Sequence, residues 1–426
     1  MVPAFPRFLT AISLIAAALT CACLPGGCGG RNPDRTVIRM WAFPMLPKLR
    51  DREMYAEFAR DFEKENPGIE VRVEMLPWAG RAQKMTTALL GGRAPDTVYL
   101  NLDFMLWFVA QDALLPLDSL LPAEERADFD PAALDAVSAN GHAWLLPMFR
   151  TVTTALYNKD LFARAGLDPE KPPATWKEIE NAARALTRDT DGDGNTDQWG
   201  FGFGFGGDTL NASFWPFLWQ AGGEVLSPDS GRAAFDSPQG AAALRFLTRL
   251  FRDGAVPPSF LSLGGNEFAA GKVGYLWGMS QVDAQALRRD VPGLNFGVAP
   301  VPANARRMSY STVGSYAIFR SSKHPEAAGK WLRYLTRPDN MRRFCAETGL
   351  LPTRKSVGPM YTDDSILGAF EREVPYCRPD VKHIQARQIM MRLAPELQEC
   401  ALGRKTPEQA LKQAATDVNR ILEQGQ

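Results

Sequence analysis

Between residues 36 and 100 the chain alternates between period-two and period-3.6 apolar patterns, and this alternation limits its fold more than any other feature. TVIRMWAF (36–43) alternates as a strand. Asp51 to Asn66 then put Met54, Phe58 and Phe62 on one helical face, and Pro67 ends the run. Ile69 to Met75 read as a second strand. Arg81 to Leu90 form a helix stopped by Gly91-Gly92, and Thr97 to Leu100 give a third strand. Strand and helix in turn predict an α/β layer with helices on both faces of the sheet.

The pattern resumes after Trp144. Thr151 to Tyr157 are strand-like, and Thr175 with Glu178 caps a helix through Leu186. A helix is expected from Asn211 to Ala221, and Ser237-Pro238 opens a long one ending at Asp253-Gly254. Val273 to Trp277 read as a short strand, Pro325 opens another helix, and Thr406-Pro407-Glu408-Gln409 caps the last one. The 426 residues suffice for two α/β lobes, with a boundary expected near 145–155.

The first 30 residues, MVPAFPRFLTAISLIAAALTCACLPGGCGG, read as a secretion signal. Arg7 precedes an uncharged run from Phe8 to Leu24, shorter than the roughly 20 apolar residues of a spanning helix. Gly27 directly before Cys28 suggests cleavage after residue 27 and a lipid on Cys28, although Pro25 sits where such sites carry an aliphatic residue. The chain is thus expected outside the cytoplasm, tethered at most by its end. It holds 48 basic and 48 acidic residues, and removing Arg7 with the leader leaves one acid in excess. A balanced chain without basic blocks argues against nucleic acid as its partner.

Three cysteines follow the leader region: Cys345, Cys377 and Cys400. An oxidising compartment permits one disulfide among them, but spacing selects no pair. They lack a CxxC unit, and the three histidines are scattered, so no zinc site is expected. The segment Asp189, Asp191, Asp193, Asn195 and Asp197 resembles the opening of a calcium loop. Gly200 stands where a bidentate glutamate is required, which leaves a weak structural calcium loop and a plain Asx-rich turn both open.

No GxSxG, HExxH or phosphate loop occurs, and nothing singles out Asp96 and Asp103 as a glycosidase pair. Catalysis is therefore not expected. Aromatic residues point elsewhere. The ten tryptophans and nine tyrosines include several near strand ends or in loops, among them Trp78, Trp144, Tyr310 and Tyr316. Aromatic faces stack on sugar rings while nearby polar side chains take hydroxyls, which makes a carbohydrate site the expectation for the set. For a single tryptophan, core packing is the commoner role.

Several phrases in order carry a family resemblance: LPWAGRAQKMTTALLGGRAPDTVYLN (76–101), GHAWLLPMFRTVTTALYNKDLFARAGL (141–167), FAAGKVGYLWG (268–278), SSKHPEAAGKWLRYLTRP (321–338) and TGLLPTR (348–354). With them the chain resembles the extracellular solute-binding proteins of bacterial ABC importers, in the maltose-binding-like group. The resemblance implies a type II periplasmic-binding-protein fold, in which two α/β lobes joined by hinges enclose a ligand cleft. Residues 34–148 plus 303–342 would form lobe 1, and 149–302 plus 343–426 lobe 2. It further implies a monomer that binds a carbohydrate, an oligosaccharide in the first place, without a cofactor, and delivers it to membrane permease subunits. A surface glycan module without transport and a sugar-phosphate binder remain alternatives.

Carried over by position, the resemblance places Trp41, Phe43, Trp78, Arg81, Asn101 and Asp103 on the first-lobe side of the cleft. Arg150, Thr151 and Tyr157 fall at the lobe crossing. Trp215, Trp219, Tyr275, Trp277 and Gly278 belong to the second lobe. Gly314, Ser315 and Arg354 come from later cleft loops. Phe43, Tyr157 and Trp219 suit core packing equally well, and Tyr275 either reshapes the cleft or fills space beside its strand.

Overall fold

The computed structural model describes residues 35–424, apart from 47–49, 207–208 and 262–264. The leader and Cys28 lie outside the described residues. The strand Thr36–Ala42 pairs in parallel with Ile69–Met75 along its whole length. The connecting helix, Arg50–Glu65, buries Met54, Phe58 and Phe62, the face its sequence spacing predicts. Thr97–Leu100 adds to the other side of Thr36–Ala42.

Two sheets organise the rest. The first has six strands in the order Leu351–Pro352, Leu146–Arg150, Val313–Ile318, Thr97–Leu100, Thr36–Ala42 and Ile69–Met75. The second has four, in the order Phe296–Val298, Thr154–Asn158, Val273–Met279 and Trp199–Gly202. Each sheet has apolar clusters of its own, one around Met40, Phe62 and Trp331, another around Phe217, Trp277 and Leu393. A smaller cluster around Leu156, Leu276 and Phe370 covers the second sheet elsewhere. No helix among the described residues is long and apolar enough to cross a membrane.

The chain passes between the sheets three times, after Arg150, between Val298 and Val313, and after Pro352. These passages are laced together. Thr151 N–H donates to Thr312 O at 2.9 Å, and Thr153 N–H to Tyr310 O at 3.0 Å. Ser309-Tyr310 pairs in turn with Cys377-Arg378. That lacing shortens the strand expected at Thr151–Tyr157, which starts only at Thr154, because residues 151 and 153 spend their N–H groups on the neighbouring passage.

Two other expectations are corrected. The helix expected over Asn211–Ala221 breaks at Phe214 into Leu210–Ser213 and Trp215–Gln220. Pro216 has no N–H for the carbonyl of Ala212, four residues earlier, and that oxygen takes Trp277 Nε1–H at 2.9 Å instead. The division expected at 342/343 falls inside the helix Pro338–Thr348, whose Met341, Phe344 and Cys345 pack in the first cluster. Leu351-Pro352 then pairs with Arg150 and Phe149, so the first sheet claims chain assigned to the second lobe.

The caps form largely as read. Ser237 Oγ accepts Gly240 N–H, and Thr406 exchanges hydrogen bonds with Gln409 in both directions. Glu178 N–H reaches Thr175 Oγ1, but the Glu178 carboxylate takes Ala174 N–H. No disulfide forms among Cys345, Cys377 and Cys400, all of which are free. They are dispersed over the three apolar clusters, Cys345 in the first, Cys400 in the second and Cys377 against the third.

A polar chamber as candidate binding site

A chamber of about 230 Å³ is walled by elements of both sheets. Arg81, at the start of the helix Arg81–Leu90, and Asn101, at the end of Thr97–Leu100, come from the first. Asn211, Tyr310, Thr312, Asp380 and Arg387 come from the second sheet's surroundings and the laced passages. The polar groups are held in register by one another. Asn211 Nδ2 donates to Asp380 Oδ2 at 2.8 Å and to Tyr310 Oη at 3.1 Å. Thr312 Oγ1 donates to the same phenolic oxygen at 3.0 Å. Val381 N–H donates to the other Asp380 oxygen at 2.7 Å, which fixes the carboxylate plane.

Asn101 differs from these. It occupies the N-cap of the helix Leu102–Ala110, where its side-chain oxygen would ordinarily take an N–H of the first turn. It makes no such bond, and Oδ1 is buried without a donor. A buried carbonyl oxygen left unpaired costs about 1–3 kcal/mol, so the position is suited to a hydroxyl or amine brought by a ligand.

Of the residues singled out from sequence, Arg81 and Asn101 line this chamber. Trp78 lies near it, 40% exposed, with one face 4.9 Å from the Phe43 ring and the Arg81 guanidinium 5.1 Å from its own ring centroid. Its Nε1–H is spent on Pro44 O. Asp103 sits on the adjoining helix, and its side chain lies outside what the structure describes. Thr151 stands behind the chamber, its hydroxyl accepting Thr312 N–H.

The remaining positions are seated elsewhere. Trp41 is buried with Nε1–H on Glu74, and Phe43 is in the first cluster. Trp215, Trp219, Tyr275 and Trp277 are all buried in the second cluster. The indole N–H groups of Trp215 and Trp219 and the Tyr275 hydroxyl have no hydrogen-bond partner there, and burial pushes the Tyr275 phenol far above its usual range. Tyr157 Oη donates to Pro169 O, and burial raises its pKa to about 12. Gly278 takes a left-handed turn, φ 90°, at the end of the Val273–Met279 strand.

Gly314 is glycine because Phe149 lies across it: a Cβ there would come within 2.1 Å of the ring. Ser315 Oγ is buried beside it without a partner. Arg150 binds Asp130 at 3.0 Å and borders a separate recess. Arg354 is a core residue, its side chain 3% exposed and engaged with Asp128, Glu125 and Thr336 O. Asp96 accepts Arg39 N–H and Ser322 Oγ–H, so it is a structural anchor of the first sheet.

The acidic loop comes together in part. Asp189, Asp191 and Asp197 bring oxygens within 4.8 Å of one another, whereas Asp193 is taken up by Asn195. Backbone N–H groups of Gly194 and Gly192 hold Asp189 below the usual carboxylate range. Sequence reasoning missed Asn211, Thr312, Asp380 and Arg387 as wall residues. They sit at helix starts and in loops with no distinctive spacing, and Tyr310 alone carried a signal, as an aromatic near a strand end.

Elements of both sheets thus meet around one polar chamber of a size to hold a small molecule. The sequence pattern of the family described as bacterial extracellular solute-binding protein matches residues 48–342, and the chain belongs to that family. It is similar to a putative binding protein of Brucella abortus, 29% identical over 379 residues that cover 86% of this chain and 89% of the relative. Among solved structures it is similar to an ABC transporter solute-binding protein of Thermotoga lettingae bound with α-D-tagatose. That likeness has 28% identity and a TM-score of 0.77, covering 91% of this chain and 99% of the other. A cyclic α-maltosyl-1,6-maltose binding protein of Arthrobacter globiformis matches at a TM-score of 0.81 and 23% identity, over 92% of this chain and all of that one, a likeness of fold alone.

Proposed function

We propose that the chain captures a carbohydrate outside the cytoplasm and delivers it to the permease of an ABC importer. The observation that carries the reading is the chamber wall. An amide, a phenol, a hydroxyl, a carboxylate and guanidinium groups converge there, with the unpaired Asn101 oxygen among them. Such a set can give and take hydrogen bonds from adjacent sugar hydroxyls. The sugar held by the Thermotoga relative supports the same assignment.

On this reading the two sheets are the cores of two lobes of a type II binding protein, and the laced passages are its hinge. The first lobe then takes Phe149-Arg150 and residues 343–352 as well as residues 34–148 and 303–342. Ligand in the chamber touches Tyr310 and Thr312, which belong to a passage, so binding acts directly on the joint and shifts the population toward a closed form. The function involves no chemistry on the ligand. A lipid on Cys28 would keep a monomeric receptor beside its permease.

The test is a thermal-shift screen of the exported protein against mono- and oligosaccharides and sugar phosphates, followed by calorimetry on Asn101→Ala. Ligand at about 100 times Kd adds roughly 2.7 kcal/mol to stability, a readily measured shift. Because Asn101 Oδ1 makes no bond in the free protein, the unliganded variant should melt no lower than wild type. Its affinity should fall about three- to tenfold, the value of one hydrogen bond. Unchanged affinity would exclude the chamber, and shifts from phosphate esters alone would replace the carbohydrate.

A further inference from the structure

A second and larger recess, about 840 Å³, adjoins the first. Arg387 belongs to the walls of both, and the Arg81 guanidinium of the inner chamber lies 4.8 Å from the ring centroid of Phe104 in the outer one. Inner and outer spaces therefore share a continuous wall. Phe104 and Trp107, three residues apart on the Leu102–Ala110 helix, form one side. The other side comes from Ile384 to Arg392, where Ile384 and Met391 are exposed apolar residues.

The charge of the outer space is one-sided. Arg387 and Arg392 line it, and no carboxylate does among the described residues. Arg392 is exposed and has no ion-pair partner among them. Gln385 adds an orphan acceptor, for its Oε1 is buried without a donor while its Nε2 is fixed on Ile421 O at 3.0 Å. Aromatic and aliphatic faces, an unused amide oxygen and an unneutralised guanidinium together suit a sugar unit that also carries negative charge.

We propose that the ligand is an oligosaccharide that extends from the inner chamber into this outer recess and bears an anionic group there, near Arg392. This rests on the carbohydrate reading above and narrows it. The recess volume exceeds what one hexose fills, so a monosaccharide would leave the apolar wall and Arg392 uncovered. An anion at this rim also gains from steering, since Arg392 puts positive charge on the wall of the outer recess. A uronate carboxylate and a phosphate monoester share this chemistry.

Calorimetry on the exported protein separates the possibilities. The probes are the best neutral oligosaccharide of the screen, the same oligosaccharide ending in a uronate, and the same one ending in a phosphate monoester. At about 20 mM NaCl one or both acidic forms should bind about five- to tenfold tighter than the neutral form, with the advantage shrinking at about 300 mM as screening shortens the field. Whichever acid gains identifies the group. Arg392→Gln should remove most of that advantage, bringing the acidic forms to within about twofold of the neutral form measured on the same variant. If neither acidic form gains, or if Arg392→Gln keeps the gain, the inference falls and the carbohydrate reading stands. If no sugar of any kind binds, both fall.

Discussion

Arg354 offers a sharp test of the structure against the sequence, because the resemblance assigns it to the cleft and the fold assigns it to the core. Its guanidinium makes four contacts: Nε–H to Thr336 O at 2.6 Å, Nη1 to Glu125 O at 3.3 Å and Asp128 at 3.2 Å, and Nη2 to Glu125 at 3.3 Å. It also stacks 4.1 Å over the Phe129 ring. Arg354→Met keeps the length of the stem and removes the charge. Breaking a fully buried ion pair costs about 3–5 kcal/mol. Here Glu125 and Asp128 retain side-chain exposures of 25% and 22%, so water relieves part of that penalty. The carbonyl of Thr336, buried at the end of the helix Pro325–Leu335, has no such relief. The net expectation is a loss of about 2–4 kcal/mol, read as a lower midpoint in urea with the slope unchanged. Affinity for the sugar, measured well below the unfolding transition, should stay within about threefold. A variant of wild-type stability with impaired binding would refute the placement and return Arg354 to the ligand.

Two further outcomes follow from titratable groups. Burial holds the His383 imidazole below its usual pKa, and its Nδ1 accepts Gln385 N–H at 3.1 Å. The native state therefore favours neutral His383. The stability this gives is present above the unfolded value of about 6.5 and is lost as pH falls through the lower folded value. Stability should fall as pH drops below about 6.5 in wild type and less so in His383→Gln; parallel pH profiles of the melting point would exclude His383 as the cause. At the acidic loop, calcium titrated in a calorimeter should bind weakly, about 10⁻⁴–10⁻³ M, since Gly200 supplies no bidentate carboxylate. Absence of heat, with an unchanged melting point, would leave Asp189, Asp191 and Asp197 as turn-forming residues only.

Local signals in this sequence report local structure well. The first three strands and the two helices between them form within a residue of where period and caps put them, because each is decided by side chains a few positions apart. The errors arise where a distant group intervenes. Thr151 looks like strand but answers to Thr312, and the Asn211–Ala221 helix is broken where Pro216 and the distant Trp277 together decide where the Ala212 carbonyl points.

The same reasoning explains why the candidate site was only partly legible. Trp78, in a turn, is the strongest single aromatic candidate and stays exposed, whereas Trp215, Trp219 and Trp277 are buried, because an indole's large apolar surface gains more from core packing than from a solvated wall. Aromatic content identifies that stacking surfaces exist without saying which way each faces. The wall itself depends on separation in sequence. Asn211 meets Tyr310 across 99 positions and Asp380 across 169, so no window of the chain contains the pair that defines the site. Arg81 and Asn101 came from the family resemblance, and both stand where local elements end, a helix start and a strand end, where an α/β sheet habitually places its ligand contacts. A chamber assembled from passages between two sheets is specified by topology, and its residues become recognisable once the strands that carry them are placed.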